Sequence, residues 1–249
     1  MQLVRDAAEA VQRNLSSFAL YMGVLIAANA VPTLVSLPLR SSDPSSASLT
    51  LQLLDVALLI VMIHVFALAQ AVVFSRLGRE IDRPLWKVRD DREALRRFFV
   101  LWAVVNLVLY GILHLANVDY GNGEMHSINY VLALATLAVA LCAVPFGACM
   151  MFTGSARFRL LGESLAPLAK QPGKTAVVIG ITLFQFLLFI VFSQAAVGGE
   201  GQETPILKEL LIASASAVVQ AYLDCLAFAA TWLLCMTDRD TVDEIDLDF

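Results

Sequence analysis

Nine side chains whose types could do chemistry interrupt long apolar blocks or sit at their edges: Asn29, Asp55, His64, Asn106, His114, Gln185, Gln220 and Asp224, with His126 at an edge. An aspartate inside hydrocarbon must be paired, wet or protonated, because an unpaired charge there costs several kcal/mol. At about 1.5 Å per residue from the outer ends of their blocks, Asp55 lies roughly 9 Å deep and His114 about 6 Å deep. By the same count His64 lies roughly 22 Å deep and Asp224 roughly 24–27 Å deep. Asp55 with His114, and His64 with Asp224, are therefore the expected pairs. The depth difference of about 16 Å between His64 and His114 argues against one bis-histidine haem. Asn29, Asn106, Gln185 and Gln220 add amides nearer the middle. The layer reads either as a solute or proton path or as interhelical hydrogen bonding, worth about 0.6–2 kcal/mol per bond.

The elements that hold these residues are spans. The 249 residues are 59% apolar and 16% charged, with a mean hydropathy of +0.74. Soluble domains are about 45–50% apolar. The excess sits in six blocks, Ser17–Leu39, Leu49–Phe74, Phe98–Val118, Ile128–Phe152, Thr175–Val197 and Ile206–Met236. Each is long enough to cross about 30 Å of hydrocarbon, where only a helix satisfies its own backbone. The expected fold is all-α: a single polytopic transmembrane domain over residues 1–249 with six transmembrane helices. The first fifteen residues carry Arg5, Asp6, Glu9 and Arg13 and have no apolar core, so no removable signal peptide is expected.

Charge orients the spans. Fifteen of the seventeen Lys and Arg residues fall on one side, eight of them between Arg76 and Arg97. Cytoplasmic loops carry such an excess, so both termini are expected in the cytoplasm of a bacterial inner membrane. The basic segment Arg89–Arg97 should attract anionic lipid. The outer loops are short and polar, and none holds a soluble domain.

Odd and even spans each recur at about 80 residues, and short amphipathic stretches precede the odd ones. In the first, Val4, Ala7, Ala8, Val11 and Leu15 share a face; in the second, Leu95, Phe98 and Phe99 follow RDDRE; in the third, Leu161, Leu165 and Leu168 recur. Such stretches read as interfacial helices. A threefold repeat of interfacial helix plus hairpin is expected over 1–77, 78–153 and 154–236, with Arg76, Arg157 and Arg239 at matching places. The sixth block carries Ala213, Ser214, Ala215, Ser216 and Ala217, which permit close helix contact and a central position. Pro32 and Pro145 are candidate kinks. The four cysteines lie in apolar blocks and read as small buried hydrophobes.

The stretch VPFGACMMFTGSARFRLLGESLAPLAKQPGKTAVVIGITLF combines a Pro-containing span, a cytoplasmic helix from about Glu163 and a following span. In this it resembles the bacterial YciC-like inner-membrane proteins and the membrane domain attached to some glycerophosphodiester phosphodiesterases. The resemblance implies six helices with interfacial segments before membrane hairpins. It implies no catalytic motif.

Residues 237–249 form an acidic tail in which Ile245, Leu247 and Phe249 alternate with acids, as in a one-sided strand able to dock on a partner. No nucleotide, zinc-hydrolase, serine-hydrolase or dithiol motif occurs. No enzyme activity, cofactor, metal or nucleic acid is expected. The missing chemistry favours a noncatalytic accessory or scaffold subunit, in contact with lipid and with other membrane-protein subunits. The alternative is a small-solute or proton-coupled transporter or channel using the polar layer, and a third reading is lipid handling. A dry, closed bundle would favour the scaffold, and a hydrated cavity at the depth of Asp224, open to one side, would favour transport.

Overall fold

The computed structural model describes residues 2–40, 44–81, 88–116, 126–154, 161–196 and 206–246. Within helices, the side chains of Asp55, His114, His126, Pro32 and residues 239–246 also lie outside the described ones, so the Asp55–His114 pairing and the placing of Arg239 do too. Arg157, Leu247 and Phe249 lie outside it entirely. Among the described residues there are eight helices and no strands: α1 (Gln2–Arg13), α2 (Leu15–Arg40), α3 (Pro44–Ile81), α4 (Asp91–Ala116), α5 (His126–Phe152), α6 (Leu161–Lys170), α7 (Pro172–Ala196) and α8 (Ile206–Asp246). Five of them, α3, α4, α5, α7 and α8, contain stretches long and apolar enough to cross a membrane. Helix α2 meets that description only together with α1, from which it is bent by 86°. The architecture fits a multi-pass membrane protein. The outward faces agree, since Leu53, Leu107, Val131, Leu134, Val191 and Leu211 are all more than half exposed. Patches this apolar do not cover soluble monomers.

The six long helices close a ring in the order α2, α3, α4, α5, α7, α8 and back to α2. Helix α8 also crosses inward to touch α3 and α5, and takes α1 and α6 on its flank. It packs against every helix except α4, because small residues let backbones approach. Ala217, Ala221, Ala227, Ala229 and Ala230 are all fully buried.

The end of the ring that carries the basic residues is tied by polar contacts. Arg76 and Arg79 both hold Asp91, Arg79 through Nη2 at 2.8 Å, which joins α3 to α4. Lys170 Nζ lies 3.1 Å from Asp238, joining α6 to α8. Helix α1 is strongly amphipathic, and its Ala7 and Val11 are buried on the side it turns to α8 and α3. These ion pairs are partly exposed, and such pairs contribute about 0–1 kcal/mol each. Burial of the α1 face matters more.

Among the described residues, the three interfacial stretches do not all take the same form. The first and third are the separate helices α1 and α6, broken from the next helix at Asn14 and at Gln171–Pro172. The second is no separate helix: Leu95, Phe98 and Phe99 lie within α4, which runs unbroken from Asp91 to Ala116. Asp90 caps its start, accepting the Glu93 backbone N–H at 2.7 Å, while Glu93 accepts the Arg89 N–H at 2.9 Å. No glycine or proline follows before Gly111, so nothing breaks the helix where the membrane segment begins.

Helix α8 continues through Ile245 to Asp246, so this part of the tail is helical rather than a strand. Helix α5 runs through Pro145 to Phe152, and Gly154 just beyond its end takes φ of +69°, a left-handed position that favours glycine. Cys149, Cys225 and Cys235 are buried as small hydrophobes, whereas Cys142 is exposed. The sulfurs of Cys149 and Cys235 lie 3.7 Å apart where α5 meets α8.

Candidate functional site: a polar chain around a closed-floored cavity

Asp224 sits near the middle of α8 and is 4% exposed. Tyr21 Oη on α2 donates to its Oδ2 at 2.9 Å, and Gln185 Nε2 on α7 donates to its Oδ1 at 2.7 Å. The chain continues behind Tyr21. Gln70 Nε2 on α3 donates to Tyr21 Oη at 3.3 Å, and Asn106 Nδ2 on α4 donates to Gln70 Oε1 at 2.7 Å. Four hydrogen bonds thus link five helices, and every donor in the chain points toward the Asp224 carboxyl. Each bond of this kind contributes about 0.6–2 kcal/mol in a membrane. All five residues line one cavity of about 210 Å³ inside the helix ring. Asn29, Thr136, Thr182, Ser216 and Gln220 add polar groups to a wall that is otherwise apolar and aromatic. Among the described residues, no lysine, arginine or histidine lines it, and no group of three or more His, Cys, Asp or Glu side chains is placed to hold a metal.

Toward the basic end the cavity has an aromatic floor. Phe74 of α3 stacks on Phe228 of α8 with ring centres 4.5 Å apart and nearly parallel. Trp102 of α4 leans on Phe74 at 5.0 Å, and Tyr21 on Phe74 at 5.5 Å. Beyond Phe228 the layer extends through Trp232 to Phe152 of α5. Phe74, Trp102, Phe228 and Trp232 are fully buried. The outer edge of the Trp102 ring abuts Gly147 of α5, so closely that a Cβ there would collide with three ring carbons. Its Nε1–H points at Met151 Sδ, 3.3 Å away.

The structure brings Asn106, Gln185, Gln220 and Asp224 to one place. It does not bring His64 there. His64 is exposed on α3, with Nδ1 2.7 Å from the Ile60 carbonyl and its ring near Phe99. The expected His64–Asp224 pair is therefore absent: Tyr21 and Gln185 bond the carboxyl, and Gln70 backs Tyr21. Neither Tyr21 nor Gln70 was expected from the sequence. Gln70 was visible as an amide in the second apolar block; Tyr21 lies only six residues into α2 and reads as an edge aromatic.

No protein-family model, curated protein or solved structure matches this chain.

Proposed function

We infer that this chain is a noncatalytic small-solute carrier or channel whose solute site is the Asp224 cavity. The observation that carries this reading is a buried carboxyl facing a cavity of about 210 Å³ within a ring of membrane-length helices. A scaffold subunit has no use for such a space, and placing a carboxyl there is costly. A cavity at the depth of Asp224 supports the transport reading over the accessory-subunit one.

In this reading α2 is the sixth span, and α1 lies along the membrane surface against α8. The basic end faces the cytoplasm of a bacterial inner membrane, following the excess of cations on that side. The aromatic floor is then a cytoplasmic gate, shut in this conformation, and solute enters from the other face. Alternating access would require α8 to separate from α3 and α5 at Phe74, Phe228 and Trp232.

Cysteine labelling tests access. In a background lacking the four native cysteines, Ser216→Cys places a thiol on the cavity wall and Ala217→Cys places one at a position with 0% exposure. A water-soluble methanethiosulfonate, added to vesicles on the face opposite the basic end, is expected to label Ser216→Cys at least tenfold faster than Ala217→Cys. Equal, slow labelling of both would mean a sealed void and return the protein to the scaffold class.

A further inference from the structure

We propose that the cavity's ligand is a protonated organic amine carrying one aromatic or similarly sized apolar group. This names the substrate class of the site inferred above, and rests on that reading.

Charge is the first ground. The Asp224 carboxyl has about four acceptor positions, and Tyr21 and Gln185 occupy one on each oxygen. Among the described residues no cationic side chain reaches the cavity. Both neighbours present donors to the carboxyl, which suits its charged form, and a cationic ligand would supply the charge partner that form needs in an apolar setting. An ammonium group supplies up to three donors for the free acceptor positions.

The walls are the second ground. Phe66 and Tyr110 stack at 5.4 Å with an interplanar angle of 6°, and both line the cavity. Trp102 and Phe186 line it as well. Aromatic faces attract cations and pack apolar rings. A hard metal ion fits poorly, since it calls for about six oxygen ligands and the groups beside Asp224 offer N–H and O–H instead.

Size is the third. A dry cavity of about 150 Å³ accommodates benzene. The cavity here, about 210 Å³, has room for one ring and an aminomethyl group. Larger cations with several rings exceed it. Benzylammonium is therefore the matched probe.

Calorimetric titration of the full chain in lipid nanodiscs tests this with three probes. Benzylammonium is expected to bind saturably. Benzyl alcohol, of the same shape without charge, is expected to bind at least tenfold more weakly, and phenylacetate not at all. Asp224→Asn should weaken benzylammonium at least tenfold. Ala140→Phe, which places a ring into the cavity from α5 and leaves the Asp224 carboxyl in place, should do the same. Should Asp224→Asn fail to fold, Ala140→Phe and the alcohol still decide. Equal binding of the alcohol and the amine would overturn the cation assignment and leave a solute cavity of neutral specificity. If neither probe binds and Ser216→Cys is also unlabelled, the solute cavity itself falls.

Discussion

Replacing Asp224 by asparagine should leave the protein as stable as before, or more stable, while reducing uptake of benzylammonium into proteoliposomes to the level of empty vesicles. The two effects have opposite signs because the carboxyl has two consequences. It holds α2 and α7 through Tyr21 and Gln185, and it places an acid midway along an apolar helix. Insertion of an aspartate at the centre of a membrane helix costs about 2.5–3.5 kcal/mol. An asparagine avoids most of that cost. Its oxygen still accepts from Tyr21, and the Gln185 amide turns to offer its own oxygen to the new NH2. Both hydrogen bonds survive and only the charge is lost. A residue kept for function at the expense of stability behaves this way. Thermal melts in detergent and uptake measured on the same preparation check it. A lower melting temperature with uptake intact would mean that Asp224 fastens helices together and does nothing more.

The second large effect concerns the floor. Gly147→Ala should destabilise the protein by about 1–3 kcal/mol, the usual cost of overpacking a filled interior. The new methyl would overlap three carbons of the Trp102 ring, which is fully buried and also packs on Phe74. Gly78→Ala should cost less, since its Cβ would approach the Trp232 ring at 3.0–3.3 Å, a contact that small shifts relieve. Gly180→Ala on α7 meets nothing within 4 Å and should stabilise by up to about 1 kcal/mol through helix propensity. The expected order of melting temperatures is Gly180→Ala, wild type, Gly78→Ala, Gly147→Ala. Adding Trp102→Phe to Gly147→Ala should recover part of the loss, a coupling that only residues in contact show. Wild-type melting of Gly147→Ala would mean that α4 and α5 do not meet at this ring, and the floor would be open.

Much of this architecture is legible in the residues. Block length and composition give the helices, because a stretch of about 20 apolar residues has few other fates. The run of small residues in α8 gives its central place, since only small side chains let one helix touch six others. Residue type gives Asp224, Gln185, Asn106 and Gln220 as members of a polar layer. What depth counting misses is direction around the helix. His64 and Gln70 are six residues apart on α3, which at about 100° per residue puts them on faces about 120° apart. Gln70 faces inward and His64 outward, and no count of depth separates the two. The position of Tyr21 fails for a related reason: its backbone lies near the end of the span, while its hydroxyl reaches inward to Asp224. The second interfacial helix fails locally, because the Asp90 cap and a stretch without glycine or proline up to Gly111 fuse it to α4.

The most direct test of a membrane-embedded amine site is a crystal structure grown from lipid and soaked with 4-bromobenzylammonium, located by the anomalous signal of bromine. The expected result is a bromine peak against the Phe66–Tyr110 wall, with the ammonium nitrogen within about 3 Å of an Asp224 oxygen. A cavity without bromine, or bromine only on the lipid-facing surface, would contradict it.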